Sequence, residues 1–175
     1  MVRPGSSNPE CNRQQLSPTW PWPKNVFRAN TTDDAQGTFA AEFLNRTLKK
    51  KTVAVVHDKT SYGQGIAEEL QKRFAALGGV VVSFDGVQTG DKDFKALMTR
   101  IKAENPAALF YGGTYTEGAL ILRQARDAGI GALFLTGENS FDPEFVRMAG
   151  PAAEGAYVTY LGRPPDLLDT AKAFV

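Results

Sequence analysis

From Asp33 onward the apolar positions alternate between two periods. Ala35 to Lys51 carries Phe39, Phe43, Leu44 and Leu48 on one side of a helix, with Thr32 and Asp33 placed to cap its first amides. Its end, Lys49-Lys50-Lys51, sets cations at the negative pole of the helix dipole. Thr52-Val53-Ala54-Val55-Val56-His57 then forms a β-branched run long enough for one buried strand. Gly65 to Leu77 spaces Ile66, Leu70, Phe74 and Leu77 along a helical stripe that Gly78-Gly79 stops, and Val80 to Phe84 follows as a strand. Asp91 to Glu104 places Phe94, Leu97, Met98 and Ile101 at helical offsets and ends at Pro106. Ala107 to Tyr111 is the next strand, Thr116 to Ala128 the next helix, and Ala132 to Leu135 the strand after it. Asp142-Pro143-Glu144 opens a short helix with a capping acid and a first-turn proline, and Tyr157 to Leu161 closes the regular part.

Strands separated by helices of this length require crossover connections, which give a parallel sheet covered on both faces. The expected fold is α/β: a doubly wound parallel sheet with helices on both faces. Residues 1–33 read differently, with prolines at 4, 9, 18, 21 and 23 and with Trp20 and Trp22 interleaved, so they form an extended loop or linker. The expected organisation is a linker over 1–33, an α/β unit over 34–161 and the start of another segment over 162–175.

Composition narrows the chemistry. A net charge of +1 over 175 residues argues against a nucleic-acid binder. Mean hydropathy is −0.28, and no apolar run has the length of a membrane helix. A single cysteine, Cys11, forms no intrachain disulfide, and Met1 to Gly5 lacks the apolar core of a signal peptide. One histidine, His57, leaves no His/Cys cluster for zinc and little room for a hydrolase triad, and no Gly-x-Ser-x-Gly elbow occurs.

In a doubly wound sheet, ligands meet the loops that leave the carboxyl ends of the strands. The first such loop, Asp58 to Gly65, lacks the third glycine of a dinucleotide fingerprint, and no Gly-Lys-Ser/Thr exists in the chain. Tyr62 there is either a packed loop aromatic or a crevice wall with a polar handle. Gly112-Gly113-Thr114-Tyr115-Thr116-Glu117-Gly118 brings backbone and a helix start to the crevice. Glu138, at the exit of the last core strand, is either a solvated carboxylate, an acid or a counter-ion for an ammonium. The inventory contains no nucleophile–base pair, no metal cluster and no phosphate cradle, and no cofactor is expected. It suits a small zwitterion held without being changed: helix ends take the carboxylate, Glu138 the ammonium, and tyrosines flank the rest.

The string from Val53 to Gly65 resembles the second lobe of the periplasmic leucine/isoleucine/valine-binding proteins, which serve branched-chain amino-acid ABC transporters and have the type I periplasmic binding fold. Phe84-Asp85-Gly86, Gly90 to Phe94, Tyr111-Gly112-Gly113, Leu122 to Gly129 and Ala153-Glu154-Gly155 are similar to the same family in order, as are Val26-Phe27-Arg28 and Asp33 to Gly37. The resemblance implies a periplasmic or extracellular protein that binds a free amino acid between two hinged lobes and delivers it to a transporter permease. It implies Tyr62 and Glu138 as second-lobe ligand positions, Glu138 facing the α-ammonium. It implies Gly5 and Ser7 as contacts for the α-carboxylate. The position after Gly112-Gly113, an aromatic contact in the family, is Thr114 here with Tyr115 beside it. The Pro/Trp-rich residues between Glu10 and Asn25 have no counterpart, and the match implies a second lobe cut away from most of the first, so weakened amino-acid binding is expected of this chain alone. Three other readings stand beside this one: a ligand-sensing module of the same fold, an α/β enzyme using His57, Asp58 and Glu138, and self-association through an unpaired sheet edge.

Overall fold

The computed structural model describes residues 32–162. The 1–31 part of the expected linker and residues 163–175 lie outside the described residues, as do Cys11 and the two tryptophans. The elements run α1 (Asp33–Glu42), a π-helical turn (Phe43–Thr47), β1 (Thr52–His57), α2 (Ser61–Ala76), β2 (Val80–Gly86), α3 (Lys95–Glu104), β3 (Ala108–Gly112), α4 (Tyr115–Asp127), β4 (Leu133–Thr136), a 3-10 turn (Glu138–Ser140), α5 (Pro143–Ala149), a second 3-10 turn (Gly150–Ala153) and β5 (Tyr157–Val158).

All five strands are parallel and lie in the order β2-β1-β3-β4-β5. Side chains alternate across the sheet, so β1, β3 and β4 each feed two cores. Val53, Val55, Ala108, Phe110 and Leu135 pack under α1 and α2 with Ile66, Leu70 and Phe74. Ala54, Val56, Leu109, Tyr111 and Phe134 pack on the opposite side with Met98, Ile101, Ile121 and Leu122 from α3 and α4. This is the doubly wound arrangement expected from the alternating periods.

The chain departs from its predicted boundaries where polar side chains are committed locally. The helix expected to run to Lys51 widens into the π turn, which buries the consecutive residues Leu44 and Asn45. Lys49, at φ 54°, then leads the chain out, so the lysine run lies beyond the helix rather than capping its dipole, and Lys51 Nζ donates to Asn45 Oδ1 at 2.8 Å. Thr32 occupies the N-cap of α1 without a side-chain cap bond. The α3 helix starts at Lys95 instead of Asp91, because Asp91 and Asp93 accept from the amides of Gln88 and Lys95 in the preceding turn. In β5 the ladder stops at Val158, and Thr159 donates both its amide and its hydroxyl to the Thr136 carbonyl.

Candidate functional site

The strand order reverses direction between β1 and β3, which opens a crevice at their carboxyl ends. His57 of β1 pairs with Gly112 of β3, and the Asp58 amide donates to the Gly112 carbonyl at 3.0 Å, closing the floor of that crevice. Asp58 is buried, and its Oδ1 accepts from the Thr60 amide (2.9 Å) and the Thr60 hydroxyl (2.6 Å). Thr60 in turn caps α2 by accepting from the Gly63 amide at 2.9 Å. A side chain on Gly63 would meet Asp58 Oδ1 at 2.2 Å and the Gly112 carbonyl at 2.5 Å, so only glycine allows α2 to start this close to β3.

That start places Tyr62 in the first turn of α2. Its hydroxyl donates to Glu138 Oε2 at 2.6 Å, joining loops 76 residues apart in sequence. Burial pushes the Tyr62 phenol far up, and the Glu138 carboxylate adds to the shift, so the hydroxyl keeps its proton and stays a donor. Gly137 makes room for it, since a Cβ there would lie 2.3 Å from the Tyr62 oxygen. Glu138 itself is half-buried, and the buried Gln36 of α1 brings its side-chain carbonyl to 3.4 Å from the same hydroxyl. The arrangement presents a carboxylate with one oxygen fixed by a phenol, a suitable seat for an ammonium group.

The β3 exit is built on another residue. Thr114 sits at the N-cap of α4 but accepts no amide; its hydroxyl donates to Glu117 Oε2 at 2.6 Å. Glu117, 3% exposed, also accepts from the Gly90 amide at 2.8 Å and so ties the loop after β2 to the start of α4. Tyr115 leans away from Tyr62, half-buried against the core under α4 and α5. Below the loop, burial raises the Tyr111 phenol, with Asp58 and Glu117 adding to the shift. The Tyr111 hydroxyl and Asp58 Oδ2 both lie within 3 Å of the point a Gly113 side chain would occupy.

Of the expected site residues, the structure therefore brings Tyr62 and Glu138 into direct contact and puts Thr114 on a different carboxylate. Gly5 and Ser7 lie outside the described residues. Among the described residues no hydrogen bond joins His57 or Asp58 to Glu138. His57 accepts from the Lys59 amide at 3.1 Å and lies against Phe84, and burial lowers its pKa. Three residues of the site carried no expectation: Gln36, Asp58 as an organiser, and Glu117. The short-range spacing of Asp58 and Thr60 marks an Asx turn and was legible in the sequence; the long-range partners of Gln36 and Glu117 were not. A depression of about 420 Å3 at the opposite end of the sheet is lined by Lys50, Lys102 and Asn105 and touches neither Tyr62 nor Glu138. No cluster of metal-ligating side chains occurs among the described residues, and no helix of theirs is long and apolar enough to cross a membrane.

A family model described as periplasmic binding protein matches residues 9–175. Leu/Ile/Val-binding protein homolog 1 of Brucella melitensis is 38% identical over 176 residues, covering 99% of this chain and 46% of that protein. A leucine-, isoleucine-, valine-, threonine-, and alanine-binding protein of Pseudomonas aeruginosa is 37% identical over 159 residues, covering 91% of this chain and 41% of its own length. Among solved structures, a leucine binding protein from Thermotoga maritima superposes with a TM-score of 0.78 at 34% identity, over 85% of this chain and 43% of that one. The chain thus spans about half the length of the curated relatives it matches.

Proposed function

The chain belongs to the periplasmic binding protein family, and from that membership we propose that its α/β unit is one wall of a site for a free branched-chain amino acid. The observation that carries the proposal is the Tyr62–Glu138 hydrogen bond at the carboxyl edge of the sheet, supplied by two separate strand exits. Glu138 receives the α-ammonium through its remaining oxygen, and Tyr62 both orients that carboxylate and offers its ring to the ligand's apolar side chain. Thr114, with its hydroxyl turned to Glu117, faces the crevice as a small residue where the family resemblance implies an aromatic one. Tyr115 supports this loop from the core side. Gly5 and Ser7 belong to the proposal as carboxylate contacts. Relatives named for leucine, isoleucine and valine support the ligand class.

In this reading the protein works outside the cytoplasm, hands its ligand to an ABC transporter permease and leaves the amino acid chemically unchanged. Pairing of two copies along the β2 or β5 edge belongs to the same proposal, and size-exclusion chromatography across concentrations reads it. Calorimetric titration tests the site. Leucine gives a weak saturable heat, as expected of one wall of a two-walled site, whereas 4-methylpentanoate, which lacks the ammonium, gives none. Glu138→Gln weakens leucine about tenfold or more, the effect of losing one charged hydrogen bond. Equal binding of both compounds, an unaffected Glu138→Gln, or turnover of any amino acid would overturn the proposal.

A further inference from the structure

The protons around Tyr62 do not balance as the side chains first stand. A phenol has one proton, and Glu138 Oε2 at 2.6 Å takes it. The Gln36 carbonyl oxygen 3.4 Å from the same hydroxyl therefore has no proton between the two oxygens, while the other end of that amide, Nε2, is buried without a partner. A half-turn about the last bond of the Gln36 side chain exchanges the two ends and resolves the first fault, because the N–H then donates to a lone pair of the phenol oxygen; the carbonyl, rather than the NH2, then takes the buried position without a partner. Gln36 cannot withdraw from this position. Its neighbour Gly37 packs α1 onto α2 so closely that a Cβ would lie 2.6 Å from the Ile66 carbonyl, and Gln36 is 4% exposed.

We infer that Gln36 is a positioning residue of the ammonium site: its amide holds the Tyr62 oxygen so that the phenol proton points at Glu138 and the second carboxylate oxygen stays free. The inference rests on the reading of Glu138 as the ammonium seat. The order Gln36 N–H to Tyr62 O–H to Glu138 runs across three elements and ends on the half-buried carboxylate of Glu138. The titratable groups around it are few. Asp33 of α1 acts on Tyr62, and Asp34 shares its helical turn. Asp58 on the β1 exit and Glu117 on α4 are each held by their own donors.

Two variants and one measurement on the unaltered chain test this. In the unaltered chain, proton NMR shows cross-peaks between the Gln36 side-chain NH2 and the Tyr62 ring; their absence overturns the inference whatever the variants do. Gln36→Met keeps the length and removes the amide, and leucine affinity falls about threefold or more with no change in its pH dependence. Gln36→Glu sets a second carboxylate against the same phenol proton, so one of the two carboxylates takes up a proton near neutrality. Leucine affinity, flat between pH 6 and 8 in the unaltered chain, then falls about threefold or more as the pH drops from 8 to 6. A purely structural glutamine would lower melting temperature in both variants and leave the pH profile flat, which overturns the inference. Failure of every amino acid to bind the unaltered chain would instead strike the ammonium-seat reading, and the Gln36–Tyr62 cross-peaks, which need no ligand, would still decide the contact.

Discussion

The exits of β1 and β3 look alike in sequence, each a strand end followed by a threonine, a tyrosine and a glycine, yet they are built in opposite senses. At the β1 exit Thr60 is an acceptor: it takes the Gly63 amide, and its own proton goes to buried Asp58. At the β3 exit Thr114 is a donor to Glu117, and no side chain caps the helix behind it. The first arrangement locks a helix to the sheet and fixes Tyr62. The second links two loops through a carboxylate. A threonine at an N-cap thus says where a helix starts, but the nearest buried acid decides which way its hydroxyl points.

The contrast is broken most severely at the first helical glycine of each exit. Gly63→Ala forces a methyl group between Asp58 and the Gly112 backbone, neither of which yields easily, and should cost about 3 kcal/mol in denaturant unfolding. Gly118→Ala meets the Tyr111 ring at 3.0 and 3.2 Å, where small ring shifts and better helix propensity offset the crowding. Its stability should stay within about 1 kcal/mol of the parent. Similar losses for the two would erase the proposed difference. One step smaller, Thr60→Ala removes a true cap and should cost about 1 kcal/mol by the same measurement. Thr114→Ala leaves the buried Glu117 carboxylate with the Gly90 amide and should cost at least as much, through an unpaired acceptor rather than a lost cap.

The smallest effect separates the exits by pH. His57 at the β1 exit pairs in register with Gly112 at the β3 exit, which has no side chain to titrate. Burial holds the His57 pKa below its ordinary value of 6.5 in the folded chain. The unfolded chain therefore takes up a proton first as the pH falls, and stability is lost from about pH 6.5 downward, while above that pH His57 contributes no pH dependence. Thermal unfolding between pH 7.5 and 5.5 should show this decline, and His57→Gln should flatten it. A decline of the same slope in His57→Gln would assign it to other groups.

How far the sequence reaches depends on the range of the interaction. The two-period pattern of Val53 to Val56, Ile66 to Phe74 and Phe94 to Ile101 was enough for the parallel, two-faced sheet, because hydrophobic burial follows period directly. Tyr62 and Glu138 were named as candidates from the loop inventory and from the resemblance, but the hydrogen bond between them was not legible, because no local rule relates residues 76 positions apart. The π turn at Phe43–Thr47 escaped for a tertiary reason, since Leu44 shares a core with Ile66, Leu70 and Phe74 of α2 and Asn45 donates to the Leu77 carbonyl at the end of that helix. Glu117 was hidden because a glutamate in the first turn of a helix ordinarily faces solvent, whereas here the Gly90 loop folds over it.

The central claim concerns location: an amino acid seats where the β1 and β4 exits meet. Amide resonances of the isotope-labelled chain, followed while leucine is added to tens of millimolar, test it most directly. The account predicts saturable shifts concentrated at residues 60–64 and 136–140, with Gly63, Gly137 and Glu138 among the largest and the Lys50–Lys102 end of the sheet unmoved. Shifts centred on that opposite end, or none at 60–64 and 136–140 at any concentration, would contradict it.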